Sequence, residues 1–138
     1  MKAKATWKNK GLLFSGTSDT GVEVKMASGM DEGESGFRPM ELLAVGLAGC
    51  TGMDVISILT KKRQDVTSFE VQVETETAQD YPHVWVKAKI KYLIHGRDVN
   101  PSAVERAMQL SRDRYCPAQN MLNKAVDIDL EYEIIEDN

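Results

Sequence analysis

The sequence predicts one α+β domain spanning residues 1–138, and three observations carry that expectation. Strand-like alternation occupies both ends and the middle of the chain, a long apolar stretch of helical period separates the first strands from the rest, and a second helical segment with its own capping residues precedes the last strand. A chain of 138 residues can bury about two-thirds of its unfolded surface around a single core, so a second domain is not required.

Residues 2–8 alternate Lys2, Lys4, Thr6 and Lys8 against Ala3, Ala5 and Trp7, and Asn9-Lys10-Gly11 supplies a turn before Leu12-Leu13-Phe14. A second turn over Ser18–Gly21 leads into Val22, Val24 and Met26, which completes an N-terminal three-stranded meander. Gly29, Gly33 and Gly36 mark residues 27–37 as a flexible loop. Pro39 then begins a helix running to about Lys62, with Lys61-Lys62-Arg63 placed against the negative end of its dipole. The stretch Leu42–Leu59 is apolar enough to raise the question of a membrane span, but it holds Asp54, three glycines and two hydroxyl residues; a long buried central helix, and no membrane, is expected.

Beyond it, residues 66–77 place Phe69, Val71 and Val73 opposite Glu70, Glu74 and Glu76. Residues 84–94 set Val84, Val86, Ala88, Ile90 and Ile94 opposite Lys87, Lys89 and Lys91. The last strand sets Val126, Ile128, Leu130, Tyr132 and Ile134 opposite Asp127, Asp129, Glu131 and Glu133. These read as further antiparallel strands, and because opposite charges attract across a ladder, the lysine strand is expected between the two acidic ones, or at least paired with one of them. Asn100 can cap a helix with Pro101 at its first position, running to about Tyr115, and Cys116-Pro117 opens another short helix.

The net charge of −4 leaves no basic stripe for phosphates, so nucleic acid is not an expected partner. The first residues, MKAKATWKNKG, carry no apolar signal region, and a cytoplasmic location is expected. In a reducing compartment two cysteines mark redox, catalytic or metal chemistry, or plain buried thiols.

On a regular helix Leu43, Gly46, Asp54 and Ser57 fall within about 40° of the line of Cys50, so that thiol shares a partly polar seam. Gly46, Gly49 and Gly52 recur at every third position, which fits either a helix pressed onto its own sheet or one pressed against its twin in a dimer. Cys116 stands at a helix cap, where free N–H groups and the dipole favour a thiolate. Arg112 and Arg114 either add to that effect or form a solvated face. His83 and His95 share the outer face with the lysines, which argues against a Cys–His dyad and a two-Cys, two-His metal site; no metal is expected.

The segment Arg38-Pro39-Met40-Glu41-Leu42-Leu43-Ala44-Val45-Gly46-Leu47-Ala48-Gly49-Cys50-Thr51-Gly52-Met53-Asp54 resembles the central-helix signature of the OsmC/Ohr family. Tyr115-Cys116-Pro117-Ala118 resembles its second cysteine motif. The resemblance implies an OsmC-like fold in an intertwined homodimer with sites at the subunit interface. It further implies a thiol peroxidase for organic hydroperoxides in oxidative-stress defence, needing no cofactor. In that scheme Cys50 becomes a sulfenic acid, Cys116 resolves it as a Cys50–Cys116 disulfide, and an external dithiol reduces the bond.

The family's peroxidases carry Glu directly after the proline, where this chain has Met40; its Glu41 lies half a turn from the line of Cys50 and is expected to serve the helix N-terminus. Those peroxidases also use an arginine from the N-terminal strands, whereas the first arginine here is Arg38. The chain therefore resembles an OsmC-like branch that keeps the cysteine pair but changes its activating partners, with Arg38 the cation expected to offset Asp54. Two other functions stand beside the peroxidase: a cysteine-dependent enzyme or binding protein for another electrophile or small ligand, and a non-catalytic dimer with inert thiols.

Overall fold

The computed structural model describes residues 1–29 and 35–138. The chain forms two compact units, Met1–Ala44 and Val45–Asn138.

In the first unit, β1 (Lys4–Trp7), β2 (Phe14–Thr17) and β3 (Val24–Met26) pair antiparallel in that order, as the short turns between them predict. Asn9 at φ 62° and Gly11 at φ 48° turn the chain between β1 and β2, and the Lys8 N–H donates to Leu13 O at 2.9 Å. Of the loop expected over 27–37, residues 30–34, Gly33 among them, lie outside the described residues. Its end is tied by backbone bonds from Phe37 N–H to Lys25 O and from Ala27 N–H to Phe37 O, each 2.9 Å.

The helix α1 runs Pro39–Lys61 and closes with a Schellman turn. Arg63 takes the left-handed position at φ 57°, its N–H donates to Thr60 O, and the Gln64 N–H reaches back to Leu59 O at 3.0 Å.

In the second unit, β4 (Asp65–Thr77), β5 (Trp85–Arg97) and β6 (Asp127–Glu136) form one sheet in that order. The lysine strand lies between the acidic ones. Lys87 and Lys89 face Glu76 and Glu74 of β4 in register, and toward β6 Lys87, Lys89 and Lys91 pair with Asp129, Glu131 and Glu133 at 3.2, 3.8 and 3.4 Å. Two expectations are corrected. The pairing of β5 with β6 is parallel, because the intervening helices carry the chain back to the starting end of the sheet, as a parallel crossover must. Val84 and Val86 are exposed while Trp85 is buried, because a register irregularity between Glu76 and Thr77 breaks the alternation before Ala88 restores it.

Between β5 and β6 lie α2 (Pro101–Leu110), a π-helical turn (Ser111–Tyr115) and α3 (Pro117–Leu122). Asn100 caps α2 as expected, its side chain accepting from the Ser102 N–H at 2.9 Å. Leu47, Val55 and Leu59 of α1 share a core with Ile90, Tyr92 and Ile94 of β5 and with Val104, Ala107 and Met108 of α2.

The expectation of a buried central helix holds for one stripe only. By length and hydropathy alone α1 could cross a membrane, yet it lends this stripe to the core, and 28 % of its apolar window is buried within the chain. Leu43, Val45 and Met53 remain exposed. The glycines divide accordingly. A Cβ on Gly52 would stand 3.1 Å from Val71 Cγ2 on β4, whereas Gly46 and Gly49 have nothing within 4 Å.

Candidate functional site

Cys50 sits partly exposed on α1, and Cys116 is fully buried at the start of α3. Both are free thiols and close enough to interact by hydrogen bond and charge, so the fold brings the two sequence-predicted cysteines together. Cys116 occupies the helix cap as its sequence predicts, with Sγ accepting from the Gln119 N–H at 3.3 Å. The expectation that this position favours a thiolate is corrected. Burial pushes the Cys116 thiol up to about 11; the Gln119 N–H opposes the shift, but Cys50 and the Asp54 carboxylate add to it. A single cap bond is outweighed by the loss of water around the sulfur.

Asp54, one turn beyond Cys50, is half-buried and accepts from Ser111 Oγ at 2.8 Å. Of the residues expected in line with Cys50, Asp54 thus meets a polar partner, and that partner comes from elsewhere in the chain. Thr51 Oγ1 lies 2.7 Å from Tyr92 OH and 2.8 Å from Ser111 Oγ, and accepts from Gln119 Nε2 at 3.0 Å. Thr51, Ser111, Gln119 and Tyr92 are all buried. Sequence reasoning did not single out these four. The signal was present for two of them: Tyr92 is in phase with Ile90 and Ile94, and Ser111 continues the helical spacing of Val104, Ala107 and Met108, so each polar group sits on a core-facing line.

Arg38 and Glu41 belong to the first unit. Glu41 takes the capping role expected of it, accepting from the Arg38 backbone N–H at 2.8 Å. The Arg38 guanidinium covers Gly29, where a Cβ would fall 2.5 Å from Nη2 and where φ is 77°. Arg112 pairs with Asp113 at 2.9 Å and Arg114 lies over the Tyr115 ring at 5.8 Å, all exposed, which is the solvated-face alternative. His83 is exposed and bonded to Ala78 O at 2.9 Å, and half-buried His95 faces Asp137 at 3.9 Å, so neither serves the cysteines.

A strand-flanked long helix carrying one cysteine, with a second cysteine delivered beside it by a crossover segment, defines a two-cysteine thiol protein of α+β architecture. The chain belongs to the OsmC-like protein family, whose model matches residues 31–131. It is 36% identical to Protein YhfA of Escherichia coli over 135 residues, 98% of each chain. It is 23% identical to the organic hydroperoxide resistance protein OhrB of Bacillus subtilis over 118 residues, 83% of this chain and 85% of that one, and the OhrB crystal structure superposes with a TM-score of 0.64. The crystal structure of a hypothetical protein from Aquifex aeolicus superposes with a TM-score of 0.86 at 27% identity, covering 99% of this chain and 97% of that one.

Proposed function

We propose that the protein is a thiol-dependent reductase of organic hydroperoxides, acting in oxidative-stress defence in the cytoplasm as a homodimer. The observation that carries this reading is the pairing of a partly exposed Cys50 with a buried Cys116 whose thiol is pushed up to about 11.

The accessible sulfur reacts first. The Cys50 thiolate attacks the outer peroxide oxygen, the O–O bond breaks, and the leaving alkoxide takes a proton to become the alcohol; Cys50 is left as a sulfenic acid. Cys116 attacks the Cys50 sulfur, the S–O bond breaks, and the Cys116 proton leaves with the hydroxyl as water. An external dithiol then reduces the disulfide, giving up two protons and two electrons. Cys50 and Cys116 are the catalytic residues of this scheme. Asp54 supports it by fixing Ser111 beside the pair, and no metal or cofactor enters the balance.

The exposed apolar side chains of α1 and the open faces of Gly46 and Gly49 support a second copy of the chain as partner, as does family membership. Mass spectrometry after one equivalent of an organic hydroperoxide tests the reading. A Cys50–Cys116 disulfide is expected. Unchanged thiols overturn it in favour of a non-catalytic dimer, and a carbon adduct on Cys50 after electrophile challenge, with no response to hydroperoxide, favours a protein acting on other electrophiles.

A further inference from the structure

Both flanks of Cys116 are fastened to the residue that follows Cys50. Ser111 opens the π-helical turn, which is closed by the Cys116 N–H donating to Ser111 O at 2.8 Å. Three residues past Cys116, Gln119 uses its backbone N–H on Cys116 Sγ and its side-chain amide on Thr51 Oγ1. Ser111 Oγ lies 2.8 Å from the same Thr51 oxygen, and Tyr92 OH lies 2.7 Å from it.

The proton order follows from the inventory of donors. Ser111 has one hydroxyl proton and gives it to Asp54, so Thr51 must donate to Ser111. With its own proton committed, Thr51 accepts from both Tyr92 and Gln119. Its hydroxyl is then fully used, once as donor and twice as acceptor, on a side chain with no surface exposed to solvent. A π turn is a local irregularity that α-helical bonding alone does not favour, so a side-chain tether at its first residue has a structural consequence for the segment that ends in Cys116.

We propose that Thr51 is the positioning residue of the dithiol: by holding Ser111 and Gln119 it presents Cys116 to Cys50 at high effective concentration and thereby sets how readily the disulfide closes. This rests on reading Cys50 and Cys116 as a redox pair, but not on which oxidant they meet. In a dithiothreitol buffer the Cys50 thiolate attacks the oxidised reagent, and Cys116 then displaces it from the mixed disulfide. The two thiol protons and two electrons end on reduced dithiothreitol. Only the second step depends on where Cys116 is held.

The wild type, Thr51→Val, Thr51→Ser and Ser111→Ala are equilibrated in dithiothreitol redox buffers, and the disulfide is quantified by mass spectrometry. Thr51→Val is expected to lower the equilibrium constant for closure about tenfold, a potential about 30 mV more positive. Thr51→Ser should restore it to within about twofold, and Ser111→Ala should shift it the same way by less. Alkylation of Cys50 in a Cys116→Ser background should not respond to Thr51→Val. An unshifted Thr51→Val, a shift toward easier oxidation, or a Thr51→Ser variant as impaired as Thr51→Val overturns the proposal. If circular dichroism shows Thr51→Val unfolded, Ser111→Ala decides alone, and no shift there overturns it. A wild type that closes its disulfide in the buffer but consumes no hydroperoxide overturns the peroxidase reading and leaves this one standing.

Discussion

Tyr92 places its phenolic oxygen 2.7 Å from Thr51 Oγ1, in a part of the core closed to water. Burial pushes the phenol up to about 12 from 10.0, as it pushes the Cys116 thiol up to about 11 from 9.0. Both groups hold their protons more tightly in the folded chain, so their stabilisation is complete below the unfolded values and is lost as pH rises through the folded ones. Thermal unfolding of the reduced protein is therefore expected to move to lower temperature as pH rises from about 9 to 12. For Tyr92 the loss approaches about 3 kcal/mol at full ionisation, and Tyr92→Phe should remove the upper part of this alkaline limb. A Tm that stays flat across that window contradicts the burial argument.

The thiols should separate by role. Cys116→Ser is expected to consume one equivalent of hydroperoxide and leave a trappable sulfenic acid at Cys50, while Cys50→Ser loses rapid consumption. Stopped-flow peroxide assays with mass spectrometry read both variants. Full consumption by Cys50→Ser with none by Cys116→Ser would reverse the roles.

Met53 is 75% exposed and Val45 53% on α1, apolar side chains that the chain itself leaves uncovered. Light scattering is expected to give twice the 15.4 kDa of one chain, and Met53→Glu combined with Val45→Glu should yield the monomer. Because neither side chain is buried within the chain, the double variant should keep its far-UV spectrum. A wild type already monomeric at micromolar concentration sinks the dimer.

The three helix glycines should respond differently to alanine. At Gly52 the added Cβ meets the stiff, β-branched Val71 at 3.1 Å, and a loss of about 1 kcal/mol is expected in denaturant titration. At Gly46 and Gly49 a single chain offers open space and alanine would gain about 1 kcal/mol of helix propensity. If those positions touch a second chain, the substitution instead weakens the dimer, so dilution experiments on the same variants report which face the glycines serve.

Much of this protein was legible because the deciding interactions are local or repeat along one element. Asn100 with Pro101, Cys116 with Pro117 and Glu41 at the start of α1 each satisfy backbone groups within three residues, and their caps form where the residue types place them. The alternation of Glu, Lys and acidic residues fixed the neighbours of β5, since cross-strand charge is read one strand at a time.

The direction of β6 was not legible, because side-chain alternation is the same for parallel and antiparallel pairing and only the helical crossover between β5 and β6 decides it. Nor was the acidity of Cys116: the cap is a local property, whereas the burial that overrides it depends on what the rest of the fold packs over the sulfur. The hydroxyl network around Thr51 joins residues 41, 60 and 68 positions away. By itself the sequence determined the elements, their caps and the two cysteines. Tertiary structure alone decided which polar groups meet beside those cysteines, because desolvation and hydrogen-bond partnership are set by distances in space that separation along the chain does not encode.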